Sequence, residues 1–75
     1  MADAPSMWKV YDHPSDFPDE FVAQRWVLGG EDPGPSEDRV TSHNLDLLRS
    51  EMATRGLIRR DRTEGDDPAV IEVWV

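Results

Sequence analysis

The chain has 75 residues and no cysteine, and that pairing limits its architecture more than any motif in it. No disulfide or thiolate metal site can staple the fold. A chain this short buries only ~60% of the surface that its unfolded form exposes. Packing and hydrogen bonds within one small domain must therefore supply the stability. Such a core leaves little room for a deep pocket of the size that small-molecule sites need. No run approaches the ~18 apolar residues of a membrane span, and no basic-then-apolar leader opens the chain. The expected setting is the cytoplasm, with no membrane partner.

Proline and glycine cut the chain into short elements. Residues 1–6 are small and unpatterned and read as a flexible tail, with a single domain over 7–75. Met7–Tyr11 is β-branched and aromatic and reads as a strand, stopped at Asp12-His13-Pro14 because proline cannot donate into a ladder. Asp12–Glu20 then reads as a connection. A second strand is expected at Phe21–Leu28, ended by Gly29-Gly30. Alternation puts Val22, Gln24, Trp26 and Leu28 on one face of it, and Phe21, Ala23, Arg25 and Val27 on the other. Glu31–Thr41 carries two prolines and a glycine and reads as a long structureless loop.

Thr41 or Ser42 is positioned to cap a helix running to about Arg55. Leu45, Leu48 and Met52 give it one apolar stripe, and Glu51 and Arg55 form a favourable i,i+4 pair. Gly56 suits the left-handed position past the helix end, with Leu57 folding back on Met52. Leu57–Asp61 and Ala69–Val75 read as strands joined by the turn residues of Arg62–Pro68. The expected fold is α+β, in the order β-β-α-β-β: a largely antiparallel sheet with one helix packed on one face. If that helix covers Ile71, Val73 and Val75, then Trp74 points to the opposite face, alongside Trp8 or Trp26.

Charge is distributed in blocks. Residues 1–38 carry net −7, residues 39–62 carry net +3, and residues 63–75 carry net −4. The net charge of −8 repels nucleic acid at long range and favours basic protein surfaces. Screening confines each block's field to ~8–10 Å at physiological salt. The arginine segment Arg55, Arg59, Arg60 and Arg62 can therefore act locally, and guanidinium groups suit phosphate. Against this, Asp61, Glu64, Asp66 and Asp67 are near enough in sequence to neutralise them.

Catalytic chemistry has little support. The sequence holds no G-x-S-x-G and no phosphate-binding glycine loop. Asp12, His13, Asp16, Asp19 and Glu20 offer oxygen and imidazole ligands, but their spacing matches no known metal loop, and capping of backbone amides in successive proline turns explains them better. His43 reads as an exposed polar residue. The expectation is a protein without enzymatic activity, metal or cofactor.

Trp8–Val22 (WKVYDHPSDFPDEFV) and Asp67–Val75 (DPAVIEVWV) resemble segments of small bacterial and prophage-encoded proteins to which no activity is attached. The resemblance covers roughly a third of the chain and implies no site residues. In size, acidity and lack of catalytic motifs the chain is also similar in type to phage inhibitors of host defence, including anti-CRISPR proteins.

These features point to a binding module that sets carboxylates against a basic protein surface, such as the nucleic-acid-binding groove of a host defence complex. Asp12, Asp16, Asp19, Glu20, Glu31, Asp32, Glu37 and Asp38 are the expected contacts, with Trp26 or Trp74 as apolar anchor. Two acidic connections are expected to remain solvated and to share one side of the domain. Two other classes stay open: an RNA- or phosphate-binding module built on Arg55, Arg59, Arg60 and Arg62, and a regulatory or structural subunit of a bacterial complex. An exposed Trp74 face with an unpaired edge strand is compatible with a homodimer as well as a hetero-complex.

Overall fold

A computed structural model of the chain describes residues 5–75 and has the α+β architecture, with one strand more than the sequence suggests. The strands are β1 (Ser6–Asp12), β2 (Phe21–Val27), β3 (Gly34–Ser42), β4 (Arg59–Asp61) and β5 (Val70–Trp74), and the helix is α1 (Leu45–Thr54). They form one antiparallel sheet in the order β3-β2-β1-β5-β4. Of the expected tail, residues 1–4 lie outside the described residues. Ser6 already belongs to β1, and the Pro5 carbonyl accepts a hydrogen bond of 2.7 Å from the Leu28 N–H.

Strand β3 corrects the reading of Glu31–Thr41 as structureless. It is an edge strand with most residues exposed, and of its side chains Val40 packs against the core. A strand with so little apolar alternation gives no period-2 signal. Its pairing with β2 is also broken. Gln24 pairs with Arg39 and Trp26 with Pro35, so Ser36, Glu37 and Asp38 together face Arg25 alone. The bulge is held by the Asp38 N–H donating to Ser36 Oγ and by Gln24 Nε2 donating to the Ser36 carbonyl.

The helix starts later than Thr41 or Ser42 would place it. Asn44 is the N-cap, its side-chain oxygen accepting from the amides of Asp46 at 2.8 Å and Leu47 at 3.3 Å. Ser42 Oγ is taken by the Asn44 N–H one turn earlier. At the other end Gly56 has φ +80°, the Gly56 N–H donates to the Ala53 carbonyl and the Leu57 N–H to the Met52 carbonyl. That is the expected glycine-terminated cap. The Glu51–Arg55 pair also forms, at 3.2 Å. Asn44→Ala is expected to cost about 1 kcal/mol and to lower the melting temperature by ~4–8 °C. Thr41→Ala, at an exposed position, should leave thermal unfolding followed by circular dichroism unchanged.

The condition that the helix covers Val73 and Val75 is not met: it packs on the face that carries Trp74. Trp8 pairs with Trp74, and Val10 pairs with both Ala23 and Glu72, and cross-strand partners share a face. Trp8, Val10, Ala23 and Trp74 form one buried cluster with Leu48 and Met52 of the helix. Glu72 ties this face to the helix. Its side chain is only 5% exposed, and Arg49 of α1 reaches it at 2.7 Å. Trp74 Nε1 donates to its other oxygen at 2.7 Å. A bulge at Ile71 lets that residue also pack against the helix-side cluster. Trp74 is therefore a core residue and not an exposed anchor.

Candidate functional site

Antiparallel pairing decides which connections meet. Asp12 pairs with Phe21, Phe21 pairs with Ser42, and the Asp12 N–H donates to the Ala69 carbonyl. The strand ends at Asp12, Phe21, Ser42 and Val70 thus lie along one end of the sheet. Residues 13–20, the start of α1 and residues 62–69 all leave from that end. Ser6 pairs with Val27 and Val27 with Gly34, which puts residues 28–33 at the opposite end.

The expected shared surface of two acidic connections is thereby divided. Asp12, Asp16, Asp19 and Glu20 sit at the first end, whereas Glu31 and Asp32 sit at the other. Glu37 and Asp38 lie between, on the sheet's outer edge, with Asp38 paired to Arg25 at 3.1 Å. The first end gains different carboxylates instead. Asp46 stands in the first turn of α1, and Glu64 and Asp67 come from the β4–β5 connection. These residues are far from 12–20 in sequence, and only the strand order brings them there.

Hydrogen bonds fix the shape of this end. The Phe17 N–H donates to the Pro14 carbonyl, the Glu20 N–H to the Phe17 carbonyl, and the His13 N–H to the Glu20 carbonyl. His13 takes a left-handed backbone, with φ 49°. Its Nδ1 donates to the Asp12 carboxylate, and its ring meets Phe21 edge-on. His43 is exposed and its Nδ1 donates to the Asp19 carbonyl. Asp16, Asp19 and Glu20 form no ion pair among the described residues. Among those residues no three of His, Asp and Glu are grouped to hold a metal ion.

Two connections from this end fold over the sheet face that the helix leaves uncovered. Asp66 reaches Lys9 at 3.0 Å. The Lys9 ammonium and, second, the Thr63 N–H hold the Asp66 carboxyl below the usual carboxylate range. Because the folded value lies below the unfolded one, this contribution is complete at neutral pH and is lost as acid titrates through the folded value. Lys9 also stands 4.6 Å above the Trp26 ring, whose Nε1 is enclosed without a hydrogen-bond partner among the described residues. Trp26 is thus half-buried under a cation rather than presented to solvent.

On the same face residues 13–20 roof a cavity of about 160 Å³, lined by Tyr11, Pro14, Asp16, Phe17, Val22, Gln24 and Arg39. The Arg39 guanidinium lies 5.4 Å from the Phe17 ring centroid. No sequence signal marks this cavity, since Arg39 belongs to the strand that the sequence hides.

The arginine segment does not form a cluster. Arg55 lies over the Trp8 ring at 5.1 Å and pairs with Glu51. Arg59 is 3.9 Å from Glu72. Arg62 donates to the carbonyls of Asp66 and Asp67. Arg60 is exposed and forms no ion pair among the described residues. Register places Arg59 opposite Trp74 and Arg60 opposite Val73, hence on opposite faces. Of the expected neutralising acids, Asp66 feels the charge of Arg62, whereas Arg55 and Arg59 turn to the carboxylates of Glu51 and Glu72.

No α-helix among the described residues is long and apolar enough to cross a membrane. The chain matches no family model, no curated protein and no solved structure, so the carboxylate-bearing end and the cavity beside it stand on their own residues.

Proposed function

We propose that this chain is a non-catalytic binding protein of the cytoplasm that presents one negatively charged end to a basic protein surface. The observation that carries this reading is the convergence of three separate segments, 12–20, the start of α1 and 62–69, on one end of the sheet. Asp16, Asp19 and Glu20 stay without a cationic partner there among the described residues. Charges placed this way speed encounter and select partners of opposite sign. In its specific form, the negative end takes the place of nucleic acid in a basic groove of a host defence complex, as a phage inhibitor would. The phosphate-binding alternative draws less support, because Arg55, Arg59 and Arg62 are engaged within the chain.

Capture from a bacterial lysate tests the reading, using two triple variants with equal loss of charge. The unaltered chain should retain a basic protein at low ionic strength and release it at high. Asp16→Asn/Asp19→Asn/Glu20→Gln should lose that protein, while Glu31→Gln/Asp32→Asn/Glu37→Gln should keep it. Equal retention by both variants, or capture insensitive to salt, overturns the assignment.

A further inference from the structure

We propose that the cavity beside the acidic end receives one aromatic side chain, preferably tyrosine, from the partner protein. The proposal rests on the binding reading above and assigns its apolar anchor. Size is the first argument. At about 160 Å³ the cavity is near the ~150 Å³ that holds a single benzene ring, and well below the ~300–1,000 Å³ of small-molecule sites. It fits one side chain.

Lining is the second argument. Tyr11, Phe17 and the buried Val22 give apolar walls. Arg39 is exposed and unpaired among the described residues, with Phe17 against its guanidinium. A planar guanidinium has two faces, and a second ring on the other face completes a stack. Gln24 spends its Nε2 on the Ser36 carbonyl, which leaves its amide oxygen as an acceptor. Asp16 supplies another on the same lining. Both suit a phenolic hydroxyl. A lysine or arginine side chain meets both the Asp16 carboxylate and the like charge of Arg39 there, whereas a neutral ring meets no repulsion from either. The rim steers a basic partner, and the cavity selects a neutral ring from it.

The test is an NMR titration of the isotope-labelled full chain with N-acetyltyrosinamide and, separately, with N-acetylarginine amide. The tyrosine probe should give saturable shifts confined to Tyr11, Phe17, Val22, Gln24 and Arg39, with a dissociation constant on the order of millimolar. Arg39→Gln should weaken it about threefold. Phe17→Leu, which keeps apolar cover without the ring, should weaken it in the same direction. Each variant's amide dispersion reports whether the fold is kept. Absence of saturable shifts at these residues overturns the proposal. So does equal or tighter binding of the arginine probe there, or an unchanged constant in both variants. None of these outcomes touches the charge reading, which is judged by salt-dependent capture.

Discussion

Glu72→Ala is expected to destabilise the fold by roughly 3–5 kcal/mol, the range for breaking a buried ion pair by removing one partner. A chain of this length has only about 4–11 kcal/mol of stability in all. The Glu72 carboxylate is the acceptor for Arg49 Nε and Nη2 and for the Trp74 indole, with Arg59 at 3.9 Å. Its loss leaves the enclosed indole N–H without an acceptor and removes the bond between α1 and β5. Arg49 is 36% exposed, so water relieves part of its loss and the effect belongs near the lower figure. The same carboxylate, by hydrogen bond first and by charge second, raises the Arg49 pKa. Glu72→Gln keeps one acceptor oxygen and should cost about 1–2 kcal/mol. Urea unfolding followed by Trp fluorescence ranks the two. Equal midpoints for Glu72→Ala and the unaltered chain would show that Glu72 does not hold α1 to β5.

Leu48→Ala should be the second most damaging change, at about 3 kcal/mol, or a drop of ~12–24 °C in melting temperature. Leu48 and Met52 are the two fully buried residues of the helix, and they seat it on Trp8, Val10, Ala23 and Trp74. The cluster that receives Leu48 includes two rigid indoles, which limits how far it can collapse around alanine. Leu47→Ala, 65% exposed one residue earlier, should fall within about 0.5 kcal/mol of the unaltered chain. A calorimetric scan of both separates packing from helix propensity.

The legible parts of the fold were those with local causes. Pro14 and Gly29-Gly30 bound two strands close to the observed Ser6–Asp12 and Phe21–Val27. Gly56 ends the helix with the backbone that its missing Cβ permits. The parts that escaped depend on pairing. β3 exists because β2 offers it a ladder, and its own residues carry almost no apolar alternation. Which side of β5 faces the helix is left open by alternation alone, because Ile71, Val73 and Val75 offer one apolar face while Val70 and Trp74 offer another. On the helix-bearing side a charged residue, Glu72, is tied to α1 through Arg49, a contact that no hydrophobic pattern marks. The site followed the same division. Asp12, Asp16, Asp19 and Glu20 were visible as a run, whereas Asp46, Glu64 and Asp67 join them only through strand order, and Arg39 reaches the cavity only from β3.

The irregularity at Ser36–Asp38 bears on how copies of this chain treat one another. An uninterrupted outer strand is a template on which another chain can add its own backbone and start a fibre. Here three residues crowd opposite one, Pro35 lacks an amide hydrogen, and two neighbouring carboxylates line the same rim. A second molecule approaching that rim finds no unbroken row of amides and carbonyls to zip onto. Backbone addition along that border is thereby disfavoured, and with it the growth of a fibre.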